Sequence, residues 1–186
     1  MFSITTVILA AGKSTRFKAT SSKLVYPLCG LPIISHVYAI AKKISGKKVI
    51  VVCNKDNIKE LKSILKECTF VTQNLQKGTA DAIEQAKKKI KSNNVLVLFG
   101  DTPLITLSSI RKLIKNYLSS KVKASLIAFR TNKPKGYGRL VIKNNALEEI
   151  VEEINLNNYQ KKISLCNSGI LIAEKKTLFE NTKNIK

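Results

Sequence analysis

Apolar and polar positions along this chain fall into alternating blocks of two periods. Ile4–Leu9 is a short run rich in β-branched residues and predicts a strand. From Pro32 the apolar positions Ile33, Val37, Ile40 and Ile44 recur at helical spacing. Lys48–Cys53 is almost continuously apolar, as a strand is when both faces of its sheet are covered. Asn57–Glu67 returns to the helical period with Ile58, Leu61, Ile64 and Leu65 on one side. Phe70–Thr72 predicts a third strand, Thr79–Ile90 a helix and Val95–Phe99 a fourth, buried strand. Leu107–Leu118 predicts a helix with Ile110, Leu113, Ile114 and Leu118 inward, and Ala124–Phe129 a fifth strand. Strand and helix in alternation predict an α/β fold with a mostly parallel sheet and right-handed crossovers. From Lys133 the texture changes. Gly136–Ile142, Leu147–Glu152 and Ser164–Ala173 are strand-like and joined by Asn/Lys-rich turns, which predicts antiparallel additions after about residue 133.

The chain has 186 residues, enough for one domain with its own core, and shows no internal repeat or low-complexity linker. Its longest apolar runs are strand-length, far short of the ~20 residues of a membrane span. The start, Met1-Phe-Ser-Ile-Thr-Thr, lacks the basic region and cleavage site of a secretory signal. Cys29, Cys53, Cys68 and Cys166 form no CxxC pair, and His36 is the single histidine, so reduced thiols in a cytoplasmic protein are expected rather than a zinc site.

The net charge of +21 invites a nucleic-acid reading, but its make-up argues otherwise. Of 33 basic residues only Arg16, Arg111, Arg130 and Arg139 are arginines. Arginine is the preferred reader of phosphates and base edges, and with no Trp the chain offers no evident stacking platform. Lysines scattered over the whole length, with abundant Asn and Ile, match a codon bias toward A and T. No dedicated nucleic-acid partner is expected, although the charge would still attract nucleotides and phosphosugars.

Two strand ends carry the candidate chemistry, because ligands of open parallel sheets bind at carboxyl ends. After Leu9 comes Ala10-Ala11-Gly12, small enough for backbone N–H groups to approach a ligand, followed by Lys13, Ser14, Thr15 and Arg16. The loop is neither GxGxxG nor GxxxxGK[ST], and taken alone it is equally a small-residue turn. The second is Phe99-Gly100-Asp101-Thr-Pro-Leu, where a carboxylate directly follows a buried strand. A lone carboxylate there suits Mg²⁺, which takes one or two protein carboxylates plus substrate phosphates; the plainer alternative is a turn cap.

Leu9-Ala-Ala-Gly-Lys-Ser-Thr-Arg-Phe17, Lys23 and Gly30-x-Pro32 resemble the start of the sugar-1-phosphate nucleotidylyltransferases. Gln73-x-x-x-x-Gly78-Thr79-Ala80, Phe99-Gly-Asp-Thr-Pro-Leu, Gly136-Tyr-Gly-Arg139, Ile150-Val-Glu152 and Asn167-Ser-Gly-Ile-Leu-Ile follow in order with family-like spacing. From Ile4 to about Ala173 the chain resembles the N-terminal uridylyltransferase domain of the bacterial bifunctional N-acetylglucosamine-1-phosphate uridylyltransferase/glucosamine-1-phosphate acetyltransferases. The resemblance implies a Rossmann-like three-layer nucleotidyltransferase fold over residues 1–186. It implies Mg²⁺-dependent uridylyl transfer from UTP to N-acetylglucosamine-1-phosphate, a step of cell-envelope precursor synthesis. Leu9, Ala10, Ala11 and Gly12 would line the uridine and phosphates, with Phe99 and Gly100 beside the nucleotide. Gln73 would read the uracil edge next to Gly78 and Thr79, and Asp101 would hold Mg²⁺. Gly138, Glu152 and Asn167 would contact the sugar, while Arg16 and Lys23 would neutralise the triphosphate.

Departures from the pattern accompany the match. Ser22 stands where the family usually has Pro, which predicts a looser loop, and Phe99 replaces a common Tyr. Glu153-Ile-Asn155 lacks the basic residue often found there; Glu148, Glu149 and Glu153 read as surface. The family's domain goes on to a second metal ligand, an Asn, and then to a left-handed β-helix that trimerises the enzyme and binds acetyl-CoA. Nothing after Asn167 matches either, so the domain is expected to be incomplete at its C-terminus. The loop also resembles molybdenum-cofactor and isoprenoid-pathway nucleotidylyltransferases, and a truncated, non-catalytic nucleotide-sugar binder is the alternative from another class.

Overall fold

The computed structural model describes residues 2–12, 21–75 and 77–182. In chain order the strands are β1 (Ile4–Leu9), β2 (Pro27–Leu28), β3 (Leu31–Pro32), β4 (Val49–Cys53) and β5 (Thr69–Thr72). They continue with β6 (Asn94–Phe99), β7 (Ala124–Arg130), β8 (Arg139–Lys143), β9 (Ala146–Val151) and β10 (Leu165–Glu174). The α-helices are α1 (Ile33–Ser45), α2 (Ile58–Ile64), α3 (Thr79–Ala86), α4 (Leu107–Ser119) and α5 (Lys175–Thr182). The chain divides into two compact units, residues 1–125 with 171–186, and residues 126–170.

The first unit is the parallel part. Its strands lie in the order β5-β4-β1-β6, all parallel, with Leu171–Glu174 of β10 antiparallel along β6. Every residue of β4 is buried, as its unbroken apolar run requires. Both faces of the sheet are covered. Thr6 Oγ1 meets Ser45 Oγ of α1 at 2.6 Å on one side. On the other side, Val7, Ile50, Val52, Val95 and Val97 pack with Ala82, Ile83 and Ala86 of α3 and Phe179 of α5. These three layers match the predicted fold. α4 begins at Thr106, whose hydroxyl accepts the N–H of Ser109, and its Tyr117 hydroxyl donates to Asn94 Oδ1 of β6.

Element boundaries differ from the sequence reading where turns intervene. The helix expected over Asn57–Glu67 closes at Ile64, with Glu67 at φ +56°. The helix expected to reach Ile90 tightens into a 3₁₀ turn at Lys87–Lys89. The two-residue pair β2–β3 is additional: Cys29 and Gly30, both at positive φ, reverse the chain between Leu28 and Leu31. A last helix, α5, follows β10 directly and places Phe179 in the core.

In the second unit β8 and β9 form an antiparallel hairpin whose turn, Asn144-Asn145, has positive φ at both positions. Two left-handed residues in a two-residue loop match the twist of the strands, and Asn tolerates that conformation. Cys166 of β10 pairs with Arg139 of β8, and the Ser168 hydroxyl donates to Ile127 O. Arg139, at 2% exposure, lies among the largest buried side chains; it pairs with Glu153 Oε2 at 3.0 Å and donates to Tyr137 O. Glu153 is therefore half-buried in an ion pair rather than a surface carboxylate, because a buried guanidinium needs a counter-charge.

All four thiols are free; Cys29 is exposed, Cys53 and Cys166 are buried. Burial above all, and then the nearby Cys68, push the Cys53 thiol up to about 12, so no reactive thiolate forms at neutral pH. No helix among the described residues is long and apolar enough to cross a membrane. Two outcomes follow. Ile8 is completely buried in β1, so Ile8→Ala should lower unfolding free energy by about 3 kcal/mol in urea titrations. A thiol reagent at pH 8 should modify Cys29 in the native protein but reach Cys53 and Cys166 only on unfolding; fast native modification of Cys53 would contradict this packing.

Candidate active site

β1 and β6 are adjacent although four strands and three α-helices separate them in sequence, since β4 and β5 lie on the far side of β1. The strand order therefore reverses at β1, and in open sheets of this kind the crevice beyond the carboxyl ends at such a point takes ligands. A cavity of about 330 Å³ lies there, wholly within the first unit. Ten residues singled out in the sequence line it: Leu9, Ala10, Ala11, Gly12, Lys23, Gln73, Gly78, Thr79, Phe99 and Asp101; among the described residues Leu24 and Ala82 join them.

The floor is main chain held from both neighbouring strands. Ala10 N–H donates to Val52 O at 2.8 Å, and Gly100 N–H to Leu9 O at 2.9 Å. Gly100 itself does not line the cavity but permits this approach. A Cβ there would stand 3.3 Å from Leu9 O and 3.5 Å from the side chains of Ile34 and Leu24. Beyond it, Thr102 turns the chain by donating from both its hydroxyl and its N–H to Phe99 O, leaving Asp101 exposed at the strand end.

Gln73 follows β5 and is 4% exposed. Its N–H donates to Cys53 O, and its amide Nε2 donates to Gly78 O at 3.1 Å and Asp81 Oδ2 at 2.7 Å. Both amide hydrogens are thereby used within the protein, so the side-chain group left to Gln73 for further bonding is its acceptor oxygen. Gly78 takes φ +101° as the residue before α3, a conformation suited to glycine, and so brings the helix N-terminus to the cavity wall.

The charged pair sits at the mouth. Lys23 Nζ donates to Asp101 Oδ2 at 2.6 Å, with side-chain exposures of 37% and 39%. Lys23 stands on a short 3₁₀ turn, Lys23–Val25, anchored by buried Leu24. Ser22, the residue in the place of the family's Pro, caps that turn by accepting the N–H of Leu24 at 3.4 Å. Arg16, with Lys13, Ser14 and Thr15, lies outside the described residues.

In the second unit Gly138, Glu152 and Asn167 come together. Asn167 N–H donates to Gly138 O at 2.9 Å, and a Cβ on Gly138 would meet Glu152 Oε1 at 3.2 Å. Asn167 Oδ1 accepts the N–H of Gly169.

Sequence reasoning missed Asn54 and Asn57. Both are buried just past β4, and their amides reach the carbonyls of Ala11 and Ala10. The available signal was an Asn-x-x-Asn step directly after a wholly apolar strand, polar residues placed where the sheet's binding edge must lie. Among the described residues no group of three or more His, Cys, Asp or Glu could hold a metal. Among the described residues Asp101 is the single carboxylate lining the cavity.

Comparison with known proteins agrees with this architecture. The bifunctional protein GlmU of Buchnera aphidicola subsp. Schizaphis graminum is 41% identical over 191 residues, covering 98% of this chain and 41% of that protein. Its namesake from Listeria monocytogenes is 34% identical over 182 residues, covering 96% of this chain and 40% of the relative. The chain thus spans about two-fifths of the length of the curated relatives it matches. Among solved structures, a provisionally named glucose-1-phosphate thymidylyltransferase from Bacillus anthracis, in complex with a sucrose, superposes with a TM-score of 0.85 at 21% identity. That likeness covers 99% of this chain and 76% of that one. The bifunctional IspDF of Campylobacter jejuni gives 0.71 at 21% identity over 98% of this chain and 44% of its own; both likenesses speak to the fold. The profile of the MobA-like NTP transferase domain matches residues 6–163, and with it the three-layer fold and the strand-end cavity place this chain in that family of nucleotidyltransferases.

Proposed function

We propose that this chain is a uridylyltransferase domain that joins UTP to N-acetylglucosamine-1-phosphate, releasing pyrophosphate and forming UDP-N-acetylglucosamine. The observation that carries this reading is the convergence, on one cavity at the sheet's switch point, of the Leu9–Gly12 loop, Gln73, Gly78–Thr79 and the Lys23–Asp101 pair. The identity of 34–41% with bifunctional proteins named GlmU supports the choice of nucleotide and sugar. We read the chain as one nucleotidyltransferase domain of such a protein.

The acceptor oxygen of Gln73 suits the N3–H donor of uracil. The small side chains of Ala10, Ala11 and Gly12 let main-chain N–H groups approach the phosphates, and Lys23 adds a point charge. Arg16 is assigned to the triphosphate on the sequence match alone. Gly138, Glu152 and Asn167 are the candidate group for the sugar phosphate.

Mg²⁺ fits the donor set. Asp101 offers a hard, exposed carboxylate oxygen at the cavity mouth, and Mg²⁺ takes one or two protein carboxylates with the remainder from phosphates and water. When bound, the ion supplies neutralisation of the phosphate charge. The reaction asks little covalent chemistry of the protein. A phosphate oxygen of the sugar phosphate attacks the α-phosphorus in line; the new O–P bond forms as the bond to the β-phosphate oxygen breaks, and pyrophosphate leaves with the electron pair. The nucleophile is ionised at neutral pH, so no general base is needed, and the residues act by positioning and charge.

The Lys23–Asp101 pair is more than a third exposed on both sides, and such pairs contribute under about 1 kcal/mol to stability. Its value therefore lies in the site. Asp101→Ala and Lys23→Ala should each lower kcat by roughly 100-fold or more in a pyrophosphate-release assay, with melting temperature nearly unchanged. CTP and GTP in place of UTP should give little turnover. Equal turnover with all three nucleotides would overturn the uridylyl assignment. Absence of turnover with retained UDP-N-acetylglucosamine binding would instead make the chain a nucleotide-sugar binder.

A further inference from the structure

Asn54 and Asn57 form a closed hydrogen-bonded turn beyond β4. Asn54 Oδ1 accepts the N–H groups of Asp56 and Asn57, and Asn57 Oδ1 accepts the N–H of Asn54. The two amide NH₂ groups point out of that turn to consecutive carbonyls of the β1 loop. Asn57 Nδ2 donates to Ala10 O at 2.7 Å and Asn54 Nδ2 to Ala11 O at 3.0 Å. Both side chains are buried, at 3% and 7% exposure. Asn57 is also the residue preceding α2, where an asparagine ordinarily caps its own helix. It makes no cap bond there: its Oδ1 accepts from Asn54 N–H, and its Nδ2 is committed to the loop.

From this geometry we propose that Asn54 and Asn57 are positioning residues that set the direction of the backbone N–H groups in the nucleotide loop. In a trans peptide the C=O and the following N–H point oppositely, and the described chain has no cis bond. Drawing Ala10 O and Ala11 O toward the β4 turn therefore turns the N–H groups of Ala11 and Gly12 to the other side. Together with the bond from Ala10 N–H to Val52 O, three consecutive loop peptides are held by β4 and the turn after it. Preorganised donors bind a developing or resident anion without rearrangement, which is how side chains that never touch the nucleotide would govern its affinity. The ligand half of this inference rests on the proposed nucleotide function; the loop-holding half does not.

The test separates the two halves. Asn57→Asp keeps the oxygen that accepts from Asn54 N–H and exchanges the donor for a second oxygen facing Ala10 O. Asn54→Asp does the same opposite Ala11 O. Once that carboxyl ionises, the KM for UTP should rise about tenfold while kcat changes by less than about threefold, the scale of one lost buried hydrogen bond. At acid pH the protonated carboxyl carries an O–H that can donate to the carbonyl again, so the excess KM should vanish there. A merely structural role would lower stability without this pH-dependent KM. In parallel, backbone hydrogen exchange of Ala10, whose N–H is bonded to Val52 O, should quicken roughly tenfold in either variant. Should an aspartate variant fail to fold, Asn57→Ala, which buries no charge, should raise the KM for UTP about tenfold at every pH with kcat little changed, and quicken Ala10 exchange. Parent-like KM and parent-like exchange in a folded variant would overturn the proposal. If the parent chain binds and turns over no nucleotide, the functional reading falls and the exchange rates alone decide whether these asparagines hold the loop.

Discussion

The main chain at the end of β1 is gripped on both sides, and the candidate site depends on that grip. Leu9 O receives Gly100 N–H from the β6 side, and Ala10 N–H reaches Val52 O on the β4 side. Glycine at residue 100 keeps this contact uncrowded, since a Cβ there would stand 3.3 Å from Leu9 O. Parallel register then does the rest: Leu9 stands opposite Val52 and Phe99, so three strands end together and their following loops share one rim. A shift of one residue would carry Ala10–Gly12 away from Asp101 and turn the buried faces outward.

The polar groups at that rim are mostly occupied by one another, which is what makes the rim definite. Gln73 is held by Gly78 and Asp81, the two asparagines by the loop carbonyls, and Ser22 by Leu24 N–H. Buried amides left unpaired would cost on the order of 1–3 kcal/mol each, so this closure is needed for a polar edge next to a wholly apolar sheet. The groups that line the cavity are few and varied: the main chain of the Leu9–Gly12 loop, the Gln73 side chain and the Lys23–Asp101 pair. That inventory is suited to a ligand carrying both a base and phosphates. The large positive charge has a milder part to play. It raises the local concentration of anions without specifying which one binds.

In the second unit the deciding feature is a charge inside. Arg139 is buried, faces the Tyr137 carbonyl and pairs with Glu153. Glu153 is the neighbour of Glu152, whose carboxylate lies against Gly138, so the ion pair ties down the segment that carries a candidate sugar ligand. Read as a sequence, Glu153 was one acidic residue among several near a turn. Its role became visible only once a buried guanidinium required a partner.

The fold class, most strands and the chemistry-bearing strand ends were legible in the residues alone, because period and burial follow from local pattern. β4 is apolar throughout and β1 is β-branched, so both announce a covered parallel sheet. Leu9–Gly12 and Asp101 could be picked out because a loop of small residues and a carboxylate just after an apolar strand are local signals. Helix ends were less legible: α2 stops at Ile64, where Glu67 takes positive φ, and α3 tightens after Ala86, since turn geometry can override an amphipathic period. Tertiary structure alone decided the pairings between residues far apart in the chain. Lys23 meets Asp101 across 78 positions, and Asn57 meets Ala10 across 47. The physical reason is that a hydrogen bond or ion pair is specified by where two backbones are brought together. The sequence determined which residues wanted partners, and the parallel stacking of β1, β4 and β6 decided which partners they found.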